Sequence, residues 1–183
     1  MAEGYHKRLF DAVVLLYGVI FQSQTEAICG FNDAGPKSRH ILQRLTNASL
    51  NSKDFCFMRS KRIDLGGIEV TALRVSFTGD LGWEVHCNTK DQKALYSLFL
   101  ETGKEFGAGP VGSRALISMR VEKCYGSWLR EYSPEYWPYE QGMERLCKMD
   151  KSFLNKAPLH EVLANEPCEP MVLLHIGDYA VDL

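Results

Sequence analysis

The stretch SKRIDLGGIEVTALRVSF, residues 60–77, constrains the fold more than any other part of the chain. Gly66 and Gly67 stand between two runs of alternating character. Both can take positive φ, which a two-residue hairpin turn asks of its central pair. The two runs are therefore predicted to be adjacent antiparallel strands. In the second arm Ile68, Val70, Ala72 and Arg74 share one face, and Glu69, Thr71, Leu73, Val75 and Phe77 share the other, because successive strand residues point to opposite sides. TGDLG, residues 78–82, breaks this arm, and WEVHC, residues 83–87, resumes as a third strand. Trp83 and Glu84 then lie on opposite faces. One of them points into a core or a site, and the other points away.

Helices are expected around these strands. Residues 5–21 hold the apolar block LFDAVVLLYGVIF, which is too short to span a bilayer and carries Asp11. Glu3 upstream and the lack of a small-residue cleavage site argue against a secretory leader, so a buried helix ending near Gly18 is the expectation. TEAICGF, residues 25–31, reads as a short strand. PKSRHILQRLT, residues 36–46, reads as a helix with an apolar stripe of Ile41, Leu42 and Leu45. Pro36 is expected in its first turn, where a missing N–H costs nothing. NASLNSKDF, residues 47–55, reads as a polar loop. A helix is predicted from Thr89 to about Phe106, with Leu95, Leu98, Phe99 and Thr102 on one side, stopped by Gly107 and Gly109. A second is predicted within PVGSRALISMRVEKCYG, residues 110–126, apolar at Leu116, Met119 and Val121. Hairpin strands followed by helices define an α+β class, antiparallel sheet with packed helices.

SWLREYSPEYWPYEQG, residues 127–142, fits neither period. It carries five aromatic residues, two prolines and three acids. Irregular segments of this length are uncommon unless they line a site or cover a core. A last strand is predicted from Pro170 to Tyr179. It finds no partner downstream, so the sequence reads as cut short.

The net charge of −2 gives no basis for nucleic acid as a partner. The six cysteines are scattered without zinc or redox spacing, and are read as reduced thiols packed in the core. No metal-ligand spacing, phosphate loop or nucleophile–base order is present. His40, His86 and His160 are isolated, and Arg120, Glu122 and Lys123 read as an ordinary charged helix face. On residue type alone Glu84 is a solvent-facing acid beside a core Trp, and Arg114 a surface cation at a helix start. The helix dipole disfavours a cation there, which makes Arg114 a residue to explain.

Four segments come in the order and spacing of one family: AGPKSRHILQRLT, RIDLGGIEVTALRVSFTGDLGWEVH, GPVGSRALISMRVEKCYGSWLREYSPEYWPYEQGM and MDKSFLNKAPL. Over about residues 24–183 the chain resembles the folate-binding aminomethyltransferase family. Its members include the aminomethyltransferase of the glycine cleavage system and the folate domains of dimethylglycine and sarcosine dehydrogenases. The YGSWLREYSPEYWPYEQG stretch is closer to the dehydrogenase branch.

The resemblance implies a partial aminomethyltransferase folate-binding fold with only the first strand of the C-terminal barrel. It divides the chain into a divergent N-terminal helix (1–23), a folate-binding domain (24–152) and the start of the barrel domain (153–183). It implies tetrahydrofolate as cofactor and a one-carbon amine donor as second substrate. An FAD dehydrogenase domain is an implied partner; nucleic acid and membrane are not. The family's pterin-binding acid matches Glu84. A carboxylate accepts both donors of the pterin edge in one planar pair, which leaves Trp83 for the core. The family's folate-site Arg matches Arg114, suited to holding a carbonyl or carboxylate. Tyr125 matches an aromatic near the folate, placed to stack on a ring. The family's catalytic Asp lies upstream of AGPKSR, in a part that residues 1–23 do not match, and neither Asp11 nor Asp33 is given that role. No catalytic residue and no metal ligand is assigned. The function so implied is tetrahydrofolate-dependent aminomethyl transfer. The alternative is a non-catalytic folate- or partner-binding remnant that kept the surface and lost the chemistry. The compartment implied is the cytoplasm, or the mitochondrial matrix in a eukaryote.

Overall fold

The computed structural model describes residues 2–13, 18–128, 130–164 and 169–174, and the chain divides into two compact units, Met1–Val111 and Gly112–Leu183. The first unit holds helix α1 (Ala2–Val13), strand β1 (Ile28–Ala34), helix α2 (Ser38–Leu45), strands β2 (Ser60–Leu65), β3 (Ile68–Leu73) and β4 (Gly82–Asn88), and helix α3 (Gln92–Gly103). The second holds helices α4 (Ser113–Glu122) and α5 (Lys156–Leu163), separated by turns.

The glycine pair forms the hairpin. β2 and β3 pair antiparallel from Leu65↔Ile68 to Ser60↔Leu73, across Gly66 at φ 61° and Gly67 at φ 90°. The Asp64 carboxylate accepts the Gly67 N–H at 2.9 Å and closes the turn. A side chain on Gly66 would also meet Leu98, whose Cδ2 lies 2.6 Å from an added Cβ. β4 inserts between β3 and β1, giving the antiparallel order β1-β4-β3-β2. The strand alternation holds through Leu73 and stops there, short of the Phe77 that the pattern suggests.

The first unit's core lies on one face of this sheet. Ile63, Leu65, Val70, Ala72, Trp83, Val85 and Cys87 point into it, and Leu42 of α2 and Leu95 of α3 close it. Phe55 packs edge-on against Trp83, with ring centroids 4.9 Å apart. The α3 region runs as predicted, one 3-10 turn at Thr89–Asp91, the helix, and a second 3-10 turn at Lys104–Phe106. Gly107, at φ 73°, ends it.

Several expectations are corrected. Residues 47–55 are not simply a polar loop, because Leu50 and Phe55 are fully buried core members; their neighbours' polarity hides them from a pattern search. β1 starts at Ile28 rather than Thr25, since the Gln24 carbonyl draws the N–H groups of Ala27 and Ile28 into a turn. Pro36 stands ahead of α2 rather than in its first turn. Gly35, at φ 123°, and its N–H bond to the Leu81 carbonyl hold that approach. The N-terminal helix spans Ala2–Val13, and it is not buried: Leu9 is 48% exposed and Phe10 also faces solvent. Residues 18–21 are not helical. Residues 170–174 carry no regular structure, and the rest of the predicted final strand, 175–179, lies outside the described residues.

Candidate functional site

The bend between the hairpin and β4 sets the direction in which Glu84 points. Gly82 leaves no room for a side chain, because an added Cβ would lie 2.8 Å from the Val75 carbonyl oxygen. Gly79 turns at φ 78°. The bend therefore delivers Gly82 into the sheet with fixed parity. Trp83, Val85 and Cys87 go to the buried face, and Glu84 and His86 go to the other. Trp83 is 0% exposed, whereas the Glu84 side chain is 41% exposed. The parity expected from the sequence is the parity found.

Glu84 sits on an inner strand, opposite Asn32 of β1 and Leu73 of β3. Its Oε2 lies 3.5 Å from His86 Nε2, two residues on along the same face. Gly30 faces His86 across β1 and β4; a Cβ there would approach the imidazole Nδ1 to 3.2 Å. The absence of a side chain at position 30 leaves this ring and the adjacent carboxylate open. A half-exposed carboxylate held by a paired strand can accept two parallel donors in its plane, and the geometry requires no backbone movement to present it.

The other two predicted site residues belong to the second unit. Arg114 is the second residue of α4 and is exposed. Tyr125 follows that helix and is 41% exposed. What holds Tyr125 is a residue read from sequence as part of a solvated helix face. Arg120 is one of the buried residues of the chain. Its Nη1 donates to the Tyr125 carbonyl at 2.9 Å and to Glu131 Oε2 at 2.7 Å. The Tyr125 N–H returns a bond to the Arg120 carbonyl, also at 2.9 Å. Glu131 Oε2 in turn accepts the Ser127 N–H at 2.9 Å. Gly126 donates its N–H to the Tyr132 hydroxyl at 3.3 Å, and any side chain at 126 would collide with that ring. The Arg120 guanidinium, bonded to the Glu131 carboxylate, pulls its pKa down from 4.5 to about 2. The aromatic segment 127–142 is thus irregular, as expected, and its first turns are wrapped around the buried Arg120 guanidinium, whose partner Glu131 stays part-exposed. Its sequence offered one signal: Glu131 is an acid among aromatics, 11 residues after Arg120.

A second carboxyl also departs from the ordinary. Asp33 of β1 faces Trp83 in register. Its Oδ2 is buried without a hydrogen-bond partner, as is Trp83 Nε1. Burial pushes the Asp33 pKa up to about 6. Perturbed carboxyls are enriched at functional sites but also arise in structural cores. No group of three or more metal-ligating side chains occurs among the described residues, and no helix among them is long and apolar enough to cross a membrane.

The family described as GCVT N-terminal domain matches residues 4–151, so the match begins within α1, upstream of residue 24 where the sequence resemblance begins. Dimethylglycine dehydrogenase of Homo sapiens mitochondria is 33% identical over 94% of this chain and 20% of its own length. Human mitochondrial sarcosine dehydrogenase is 34% identical over 69% of this chain and 14% of its own length. The aminomethyltransferase of Thermoanaerobacter sp. (strain X514) is 33% identical over 79% of this chain and 39% of its own length. The chain therefore spans about a fifth of the length of the dimethylglycine dehydrogenases it matches. Among solved structures, the heterotetrameric sarcosine oxidase from Corynebacterium sp. U-96 in complex with pyrrole 2-carboxylate aligns with a TM-score of 0.44 at 20% identity, over 50% of this chain and 45% of that one.

Proposed function

Because the chain belongs to the GCVT N-terminal domain family, the aminomethyltransferase family of folate-dependent one-carbon transfer, we propose that it is a tetrahydrofolate-binding module for aminomethyl transfer, of the kind carried by dimethylglycine and sarcosine dehydrogenases. The observation that carries this reading is Glu84, half exposed on an inner strand and turned away from the Trp83 core. A pterin edge presents an amino group and a ring N–H side by side, and a fixed carboxylate takes both in one planar pair. Arg114 would hold a carbonyl or carboxylate of the folate. Tyr125 would stack on one of its rings, with its backbone secured by Arg120. Bound tetrahydrofolate supplies the amine nitrogens that accept the one-carbon unit.

On the same premise residues 24–152 form the folate-binding domain, 1–23 the segment ahead of it that carries α1, and 153–183 the start of a further domain. The donor is a small amine carrying a one-carbon group, and the partner is an FAD dehydrogenase domain. The mitochondrial relatives support the mitochondrial matrix as the compartment in a eukaryote. The test is calorimetric titration of the chain with tetrahydrofolate, followed by an assay for 5,10-methylenetetrahydrofolate made from an aminomethyl donor. Saturable binding with turnover supports the full reading. Binding without turnover assigns the chain to the folate-binding alternative. No binding at millimolar tetrahydrofolate overturns the reading.

A further inference from the structure

We propose that Cys29 and Cys87 form a dithiol site that takes a low-molecular-weight disulfide, such as oxidised glutathione, and is converted by it into a cross-strand disulfide. The two residues are 58 positions apart in sequence, and their Sγ atoms lie 3.3 Å apart. They are direct partners in the β1–β4 register. Residues directly opposite on antiparallel strands have Cα atoms about 4.5 or 5.5 Å apart, according to the type of pair. Either value falls inside the span of roughly 4.4–6.8 Å that a disulfide tolerates. The sheet therefore already supplies the backbone geometry, and side-chain rotation alone has to bring the sulfurs to bonding distance.

The two thiols are not equivalent. Cys29 is half-buried on β1, an edge strand of the sheet. Cys87 is buried on β4 as a member of the core cluster. Exchange therefore begins at Cys29. Its thiolate attacks one sulfur of the oxidised glutathione, the S–S bond breaks, and one glutathione leaves as thiolate and takes up a proton. Cys87 then gives its proton to solvent and attacks the Cys29 sulfur, and the second glutathione leaves and is protonated. Two protein thiols are oxidised by two electrons, and one glutathione disulfide is reduced to two glutathione thiols. Burial, then the neighbouring Cys29 and then Asp91 push the Cys87 thiol up to about 12. Burial still acts on Cys87 after Cys29 is capped, so the second step relies on the closeness of the two sulfurs. The product staples an edge strand to the strand that carries Glu84.

Cys56 and Cys124 are exposed and act as internal controls. The reduced chain is equilibrated in glutathione buffers of rising oxidised fraction, trapped with N-ethylmaleimide, and analysed by intact mass and peptide mapping. The expected result is loss of two hydrogen atoms, a cross-linked peptide pair containing positions 29 and 87, and only glutathione adducts at Cys56 and Cys124. Cys87→Ser should abolish the cross-link and leave a glutathione adduct on Cys29. The wild-type chain needs no substitution for the main readout, and its oxidised form should melt at a higher temperature than its reduced form. The proposal is overturned if Cys29 and Cys87 both remain free to react with N-ethylmaleimide, after denaturation, at an oxidised fraction that fully modifies Cys56 and Cys124. Accumulation of Cys29 as a stable glutathione adduct in the wild-type chain overturns it equally.

Discussion

In the first unit the deepest side chains are Trp83, Phe55, Leu42, Leu50, Leu65 and Leu95; in the second, the buried ones among the described residues are Arg120, Gln141 and Leu159. One unit is organised by apolar burial across a sheet face, and the other by a cation with named partners. The difference matters for the site. Apolar burial is non-directional and proportional to area, so the strand under Glu84 is held by many small contributions at once. A buried guanidinium works only while its partners are in place, because an unpaired buried charge is strongly penalised. Glu84 therefore sits on a platform that tolerates change around it. Tyr125 sits on a turn that depends on Arg120 and on Glu131.

The largest effect is expected where the platform itself is cut. Trp83→Ala removes a fully buried aromatic and should cost on the order of 3–5 kcal/mol, read as a fall in the urea midpoint of the first unit. A cost below about 1 kcal/mol would mean that the sheet face is not the main source of that unit's stability.

Arg120→Ala should cost about 2 kcal/mol, since it removes a buried guanidinium's hydrogen bonds to the Tyr125 carbonyl and to Glu131, while water takes up part of the charge on the part-exposed Glu131. The loss should be local. Amide exchange should accelerate over residues 125–142 and stay slow over 60–88. Equal acceleration in both would contradict the contrast between the units.

Acid should move the two units in opposite senses. Asp33 has a folded pKa of about 6 against an ordinary 3.8, so the folded state holds its proton more tightly than the unfolded chain. That contribution is fully present below pH 3.8 and is lost as pH rises through about 6. Glu131 has a folded pKa of about 2 against 4.5, so its contribution is present above pH 4.5 and is lost as pH falls toward 2. Asp33→Asn should therefore stabilise the first unit at pH 7, by on the order of 2 kcal/mol, and should do nothing at pH 3.5. A thermal melt of the variant at both values checks the sign. A gain of equal size at the two values would contradict it.

The smallest effect concerns the hairpin. Gly66→Ala asks an alanine to hold φ 61° and to displace Leu98, at a cost of roughly 1–2 kcal/mol. Gly67 has open space around its Cβ position, so Gly67→Ala should cost less despite its own positive φ. Reversal of that order would show that Leu98 yields freely.

The same contrast explains what the sequence made legible. The hairpin, the opposed faces of Trp83 and Glu84, and the extent of α3 were readable because each is decided by a local period or by two adjacent glycines. Leu50 and Phe55 were not readable, because their burial comes from residues distant in the chain. Arg120 was misread as solvated for the same reason: an Arg on a helix looks exposed until its partners, Tyr125 and Glu131, fold back over it. The contact of Cys29 with Cys87 depends on the strand order β1-β4, which no spacing in the sequence announces. The α1 helix failed in the other direction. Its apolar residues suggested burial, and Leu9 and Phe10 face solvent among the described residues.

The central claim is that Glu84 selects folate through the pterin edge, and the most direct test is a pair of calorimetric titrations with tetrahydrofolate, one on the wild-type chain and one on Glu84→Ala. Removal of a charged partner from such a pair costs about 2–5 kcal/mol. The variant should therefore bind at least ~30-fold more weakly, while its circular dichroism and melting temperature match the wild type, because Glu84 lies off the core. Equal affinities for the two chains would contradict the account.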